Sequence, residues 1–245
     1  MPDQRRPIVE FRGVSFEIDG VRILNEIDLK IESGEVVVLL GESGCGKTTT
    51  LRLINRLIEP TSGNVLVEGR PTTDWDPIEL RRKTGYVLQD GGLFPHMTAA
   101  ENVGIILRLE HWSEEKKKAR VDELFELVGL ATERFADRFP HELSGGQRQR
   151  IGVARALAAD PGLLLLDEPF GALDPLTRTK LQKEFASIVL RMGKTAVFVT
   201  HDLHEAMLLG TRIVLMEKGQ IVLNAEPADF EASEIPLVRA YLETI

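Results

Sequence analysis

The feature that most constrains how this chain can fold is a glycine-rich stretch, Gly41–Thr50, flanked by two different hydrophobic patterns. Before it lies the run EVVVLL at 35–40, which is almost wholly apolar, as in a buried parallel strand. After it, residues 48–58 repeat apolar side chains on one helical face and lead to Pro60, a residue that terminates helices. The sequence therefore predicts a strand, a tight turn and a helix in direct succession.

The turn matches the pattern G-x-x-x-x-G-K-[ST], which makes it a predicted phosphate cradle. Its glycines let successive backbone N–H groups point inward, and the start of the following helix adds roughly half a positive charge. Lys47 would reach the β- and γ-phosphates of a nucleotide, and Thr48 would coordinate Mg²⁺. The predicted nucleotide-binding loop consists of Gly41, Glu42, Ser43, Gly44, Cys45, Gly46, Lys47, Thr48 and Thr49. A glycine-rich turn with an exposed lysine is the alternative, but it does not explain the complete motif in this context.

Length and charge restrict the class of protein. A chain of 245 residues can bury a sizeable core, and its apolar runs fall short of a transmembrane helix. The start, MPDQRRPIVE, lacks the apolar centre of a secretion signal. The single cysteine, Cys45, excludes an internal disulfide and fits a reducing cytoplasm, and we interpret it as a small filler residue. A net charge of −8 argues against a nucleic-acid partner, because such a partner requires a basic surface.

The remaining patterns alternate between strands and helices. Two β-rich runs, 8–18 and 21–31, flank Asp19-Gly20 and predict an antiparallel hairpin. Further strands are predicted at 64–69, 84–88, 163–167, 195–200 and, as a closing pair, 211–223, with helices at 174–192 and 201–209. We therefore predict an α/β fold with a P-loop NTPase core, a mostly parallel sheet and an N-terminal antiparallel β part. The core would comprise about 1–90 and 161–245, with a helical subdomain inserted at about 91–160.

Two further stretches contain groups that could act in catalysis or in phosphate binding. Asp167 and Glu168 end the apolar strand 163–167, at the carboxyl edge where α/β proteins place their sites. Asp167 would hold Mg²⁺, and Glu168 would polarise the water that attacks the γ-phosphate.

The sequence LSGGQ at 143–147 begins a helix with Ser144 as its cap and two glycines that leave N–H groups accessible. One nucleotide does not need two such helix starts in one subunit, so the second is expected to act across a dimer. By itself, LSGGQ would be interpreted as an ordinary capped helix.

These motifs follow one another in a known order. GESGCGKT, the glutamine of YVLQ, LSGGQ, LLLLDE, ALD at 172–174 and the histidine of VTHD resemble the motifs of ATP-binding cassette (ABC) ATPase subunits. The resemblance covers nearly the whole chain. It implies contacts to ATP or Mg²⁺ for Lys47, Thr48, Gln89 and Asp167.

The same resemblance implies the other functional roles. Glu168 would be the general base, and His201 would contact the γ-phosphate, a role that depends on the resemblance because a histidine in isolation is more often a surface or helix-cap residue. Asp174 would lie at the dimer contact. The partner's site would be completed by Ser144, Gly145, Gly146 and Gln147.

One position departs from the family pattern. Such cassettes usually stack the adenine ring on an aromatic residue of the first hairpin, and counting back from Glu26 places Ile18 there. Phe16 is two residues away, on the same face but about one pleat repeat further from the turn. The adenine contact is therefore expected at Ile18, with Phe16 as the alternative.

Three segments resemble importer cassettes of the osmoprotectant branch, which handles glycine betaine, choline or carnitine-like quaternary amines. They lie at 92–103, 168–178 and 194–206. The resemblance implies a cytoplasmic ATPase that pairs around two ATP molecules and energises uptake through a membrane permease, with a solute-binding protein as an indirect partner. Members of this branch often carry two further C-terminal regulatory domains, and we expect the chain to end before them.

Two other functions are weighed against this one. Cassettes for polar amino acids share parts of the same pattern and remain an alternative cargo class. A non-transport ABC ATPase of DNA repair would require a long coiled-coil insertion, and the interval from Lys47 to Ser144 is too short for one.

Overall fold

A computed structural model describes residues 7–171 and 175–243. The strands are β1 (Pro7–Ile18), β2 (Val21–Glu32), β3 (Val36–Leu40), β4 (Ser62–Val67), β5 (Arg70–Pro71), β6 (Thr84–Val87), β7 (Leu163–Asp167), β8 (Thr195–Thr200), β9 (Arg212–Glu217) and β10 (Gln220–Ala225). The helices are α1 (Lys47–Ile54), α2 (Pro77–Lys83), α3 (Ala99–Leu109), α4 (Glu114–Leu127), α5 (Thr132–Phe135), α6 (Gly145–Leu157), α7 (Pro175–Met192), α8 (Leu203–Leu209), α9 (Pro227–Ala232) and α10 (Pro236–Leu242). Short 3₁₀ turns occupy Thr72–Asp74, Gln89–Gly92 and Pro140–Glu142. Within the described ranges, each helix is too short or too polar to cross a membrane.

The chain forms two compact units. The first draws on Met1–Arg81 and Gly193–Ile245, and the second is Arg82–Met192. β6 and β7 therefore group with the helices of the second unit, whereas the predicted helical subdomain covers only 91–160. The division of the chain into a core and an inserted subdomain at those residues stays a prediction.

Parallel pairing builds the centre of the first unit. β3 pairs in parallel with β8 and with β9, and every residue of β3 and β8 is buried. Their continuous apolar sequences suit strands that are covered on both faces. Leu40 pairs with Thr200, so β3 and β8 end side by side.

The first unit also contains an antiparallel sheet in the order β2-β1-β4-β5. The predicted hairpin is present, with β1 and β2 joined at Asp19-Gly20, where both residues have positive φ, as a tight two-residue turn requires. Val9, Phe11 and Val14 of β1 are buried. Together with the parallel strands, this sheet confirms the predicted α/β class with an antiparallel β part.

In the second unit, β6 and β7 pair in parallel, with Val87 opposite Leu166. The segment between these strands is mainly helical, and α3, α4 and α6 start at polar caps. Thr98 and Glu101 form a reciprocal capping box at α3, and Ser113 accepts a hydrogen bond from the backbone of Lys116 at α4.

The helix after the phosphate loop is shorter than its sequence pattern indicates. It ends at Ile54 rather than at 58, because Arg56 turns into the left-handed region with φ +52°. The amides of Arg56 and Leu57 then donate to the carbonyls of Leu53 and Arg52, which is the Schellman ending of a helix. Helix α2, whose first turn is capped by Asp76, was not predicted from the sequence.

Candidate functional site

In the first unit, the predicted site residues begin where β3 and β8 end. Because Leu40 pairs with Thr200, Gly41 and His201 leave neighbouring parallel strands at the same edge of the sheet. The carboxyl edge of a parallel sheet is where α/β proteins place ligands. Strand register therefore brings the phosphate loop and His201 to one edge, although they are far apart in sequence.

The phosphate loop curls around the ammonium group of Lys47. The Lys47 Nζ donates hydrogen bonds to the carbonyls of Gly41 at 2.6 Å and Glu42 at 2.8 Å, and the residue is only 4% exposed. A buried lysine charge needs such partners, because desolvation without them is costly. The loop thus fixes one positive charge at its centre.

The helix that follows starts without a side-chain cap. Gly46 is its N-cap, with φ +108°, and it contributes no side chain to the first turn of α1. A Cβ at this position would lie 2.5 Å from Leu24 Cδ2, so the close packing against β2 also requires glycine. The positive end of the helix dipole is consequently directed at the loop, which suits an anionic ligand.

Cys45 is the buried thiol within the loop. Burial raises the pKa of the Cys45 thiol, while the nearby Lys47 acts in the opposite direction. The Sγ atom lies 3.8 Å from Lys47 Nζ. A buried thiol with a raised pKa is a poor nucleophile, in agreement with its interpretation as a filler residue.

In the second unit, Gln89 and the two carboxylates follow paired strands in the same way. Val87 pairs with Leu166, so Gln89, Asp167 and Glu168 gather at one edge of β6 and β7. A Cβ at Gly171 would lie 3.7 Å from Glu168 Oε2 and 3.8 Å from Gln89 Nε2. The Glu168 carboxylate and the Gln89 amide therefore both border the backbone of Gly171.

Glu168 has an unusual backbone. Its φ is +44°, and its carbonyl accepts a hydrogen bond from the Gly171 amide. A non-glycine residue held in the left-handed region is strained, and such strain concentrates at functional sites. Beside it, Tyr86 Oη donates to Asp167 Oδ2 at 3.4 Å, which orients that carboxylate.

The donor set suits a metal that is shared with phosphate. Within 7–171 and 175–243, His, Cys, Asp and Glu form no cluster of three that could hold a metal by itself. Mg²⁺ at phosphoryl-transfer sites is usually held by one or two protein oxygens together with substrate phosphates. In the second unit, the Asp167 carboxylate is an oxygen donor of this kind. The role of the Thr48 hydroxyl in the first unit stays a prediction.

The LSGGQ helix start is capped more completely than the sequence analysis assumed. Ser144 Oγ accepts from the Gln147 amide at 3.3 Å, and Gln147 Oε1 accepts from the Ser144 amide at 2.8 Å. This capping box uses the third helical amide and folds the Gln147 side chain back on its own helix. Gly145 and Gly146 stand at the first two helical positions, where their amides face outward from the helix start.

The segment after Gln89 is fixed by two residues that the sequence analysis missed. Arg155 of α6 donates to the carbonyls of Gly91 and Gly92, each at 2.9 Å. Asn102 of α3 is fully buried, accepts from the Phe94 amide at 2.8 Å and donates to the Phe94 carbonyl at 3.2 Å. A single arginine inside the apolar stretch 151–157 was the signal that could have identified the first of them.

The remaining predicted positions are less embedded. Ile18 is 54% exposed at the end of β1, and Phe16 is half-buried opposite Leu24. The adenine contact at either residue stays a prediction. Asp174, the predicted dimer contact, lies outside the described residues.

Comparisons with known proteins place these motifs in a family. Residues 24–171 match the family model described as ABC transporter. The glycine betaine/carnitine/choline transport ATP-binding protein OpuCA of Bacillus subtilis is 55% identical over 208 residues, which is 85% of this chain and 54% of OpuCA. The glycine betaine uptake system ATP-binding protein YehX of Escherichia coli is 46% identical over 220 residues, 90% of this chain and 71% of YehX.

A solved structure gives the same result for the fold. The dimeric post-hydrolysis ATP-binding cassette MJ0796, bound to ADP and Pi, is 36% identical with a TM-score of 0.80, covering 89% of this chain and 98% of that one. These findings confirm the resemblance inferred from the motifs. The chain spans about half the length of OpuCA.

Proposed function

The chain belongs to the ABC transporter family, and we propose that it is the ATP-hydrolysing subunit of an importer for quaternary-amine osmoprotectants. In this proposal it acts in the cytoplasm, at the inner face of the cell membrane, to which a permease holds it. Two copies, or one copy and a paired cassette, enclose two ATP molecules. A solute-binding protein delivers the cargo to the permease.

The observation that carries the proposal is the phosphate loop around Lys47. Its ammonium group is held by the Gly41 and Glu42 carbonyls, and the uncapped start of α1 follows directly. A fixed positive charge beside a helix N-terminus is the arrangement that binds polyphosphate. Lys47 would exchange part of its carbonyl contacts for oxygens of the β- and γ-phosphates.

The carboxylates at the end of β7, Asp167 and Glu168, would supply the group that accepts a proton during hydrolysis. Glu168 would accept the proton of the attacking water as general base, and the neighbouring Gln89 amide would help to orient that water. Thr48, Gln89 and Asp167 would hold Mg²⁺. When bound, the metal would neutralise negative charge on the transferred phosphate.

Dimerisation would complete each site. Ser144, Gly145, Gly146 and Gln147 would face the γ-phosphate bound by the partner, and the outward amides of the two glycines support this role. Because the capping box occupies the Gln147 side chain, Gln147 would have to leave Ser144 in order to bind phosphate. His201 would contact the γ-phosphate of the ATP bound in its own subunit.

A groove in the second unit is our candidate for the permease contact. It has a volume of about 570 Å³ and lies among α3, α4 and α5, with Gly104, Ile105 and Val121 among its apolar lining. Arg108, Lys118 and Glu101 contribute charged groups. An apolar groove with a charged rim suits a short amphipathic helix.

The test of the enzymatic proposal is Glu168→Gln. The amide keeps the shape of the side chain but cannot take the proton, so hydrolysis should fall on the order of 10²–10⁴-fold. Binding of ATP should persist, and the dimer should accumulate with ATP on size-exclusion chromatography. Glu231→Gln, at an exposed position of α9, is the matched control. Normal MgATP turnover by the Glu168 variant, with no ATP-dependent dimer, would refute the assignment.

The cargo is tested separately. The subunit is purified from membranes together with its permease, and uptake of labelled glycine betaine and of a polar amino acid is measured in the same vesicles. Uptake of the amino acid alone would exclude osmoprotectant import while leaving the ATPase assignment intact.

A further inference from the structure

Two hairpin turns of the first unit have nearly the same backbone but different surroundings. Glu68-Gly69, between β4 and β5, has φ values of 53° and 76°. Lys218-Gly219, between β9 and β10, has φ values of 47° and 77°. A Cβ at Gly69 would meet nothing within 4 Å, whereas one at Gly219 would lie 2.3 Å from the Ile23 carbonyl oxygen. The first turn is open, and the second is pressed against other parts of the chain.

The Lys218-Gly219 turn is bonded to the phosphate loop. The Gly219 amide donates to the Cys45 carbonyl at 3.1 Å, and the Gly219 carbonyl accepts from the Asn25 amide at 2.9 Å. Gly219 therefore links β2 to the outer side of the loop, which is the side that faces away from the predicted phosphate position. Beside this bond, the loop and Lys218 border a cavity of about 150 Å³ that Leu237 and Tyr241 also line. The Gly219 amide is thus a direct support of the loop next to unfilled space.

The direction of this hydrogen bond matters for phosphate binding. In a trans peptide unit, the C=O and N–H groups point in opposite directions. When Gly219 holds the Cys45 carbonyl on the outer side of the loop, the Gly46 amide of the same peptide unit is directed to the inner side. An inward amide is what an anion cradle requires.

Close packing leaves this arrangement little freedom. A Cβ on Gly46 would lie 3.2 Å from the same Ile23 carbonyl oxygen that faces Gly219. Ile23 therefore lies against both glycines, one in the loop and one in the turn. A side chain at Gly219 would push the turn away from β2 and lengthen its bond to Cys45.

We propose that Gly219 is a positioning residue for nucleotide binding, which orients the Cys45–Gly46 peptide unit from outside the loop. It acts through the backbone of Cys45 and does not itself contact the nucleotide. The inference rests on the proposed function, in which the loop receives the phosphates of ATP.

The test compares Gly219→Ala with Gly69→Ala. Both changes place an alanine at almost the same positive φ, so they impose a similar backbone strain. Only Gly219→Ala disturbs the loop, and losing one inward amide contact to phosphate should weaken MgATP binding by roughly tenfold or more. Affinity for MgATP and ADP is measured by titration calorimetry, and thermal stability is measured without nucleotide. Equal affinity losses in the two variants would overturn the proposal.

Lys47→Ala separates the inference from the function on which it rests. If Lys47→Ala weakens binding but Gly219→Ala matches Gly69→Ala, the loop binds phosphate and only the positioning role is wrong. If Lys47→Ala leaves the affinity intact, the loop is not the phosphate site and both proposals fail.

A measurement on the unaltered protein covers the case in which Gly219→Ala does not fold. In protein labelled with ¹⁵N-glycine, amide hydrogen exchange is followed by NMR with and without ADP. Bound phosphates should fix the Cys45–Gly46 peptide unit, so exchange of the Gly219 amide should slow by roughly tenfold while Gly69 is unchanged. An unchanged Gly219 rate at saturating ADP would overturn the proposal.

Discussion

Arg155 should have two effects that a substitution can distinguish. It stabilises the packing around α6, and it holds in place the segment that begins at Gln89. Arg155 donates to the Gly91 and Gly92 carbonyls, and its guanidinium carbon lies 5.7 Å from the centre of the Phe94 ring. It therefore clamps the segment that begins at Gln89 onto the helix that begins with LSGGQ. Burial lowers the pKa of Arg155, but an arginine side chain remains charged at neutral pH.

The magnitude follows from the two carbonyls. Gly91 is buried, so losing its charged donor should cost about 1.5–3 kcal/mol. Gly92 is exposed, and water can replace Arg155 there at a cost of about 0.5–1 kcal/mol. Arg155→Met, which keeps the length of the side chain, should therefore destabilise the protein by about 2–4 kcal/mol. Arg155→Lys should cost about half as much, because an ammonium group cannot form the two-pronged contact.

The assay measures urea unfolding and MgATP hydrolysis on the same preparations. Arg150→Met is the matched control, since Arg150 lies on the same helix, donates to the Val128 carbonyl and pairs with Glu184. Both changes should lower stability, but misplacing Gln89 should reduce kcat on the order of tenfold to a hundredfold only in Arg155→Met. A similar fall in kcat for both variants, at a temperature where both are folded, would refute the clamp.

Two further predictions concern adenine binding and coupling. If adenine lies at Ile18, Ile18→Tyr should tighten ATP binding by about 0.5–1.5 kcal/mol through ring stacking, and calorimetry measures it; an unchanged affinity, with a large loss in Phe16→Ala, would move the contact to Phe16. Phe94 is 43% exposed, so Phe94→Ala should leave the ATPase activity of the isolated subunit within a few-fold and reduce solute uptake much more in the assembled transporter. Parallel losses of uptake and hydrolysis, with a lower melting temperature of the isolated subunit, would show that Phe94 has only a packing role.

Local patterns determined much of the architecture. The run at 35–40 indicated a buried strand and the glycines after it indicated a turn, because both signals depend on side-chain size and backbone freedom within a few residues. The cap Ser144 was predictable for the same reason, since a cap bonds within its own first turn. The family resemblance added roles for Gln89 and His201 that no local pattern could supply.

Local hydrophobic periodicity predicted the wrong end for the helix that follows the phosphate loop. The helix after the loop continues in the apolar pattern to 58, yet a Schellman ending at Arg56 stops it four residues earlier.

The tertiary structure alone brings together groups that are far apart in sequence. The bonds from Arg155 to Gly91 and from Gly219 to Cys45 join residues separated by 64 and by more than 100 positions. Neither donor belongs to a motif, because a backbone amide or a lone arginine gains its role only from what the fold places against it. The sequence by itself thus predicts which loop binds phosphate, and the packing of β2 and the β9–β10 turn decides how that loop is held.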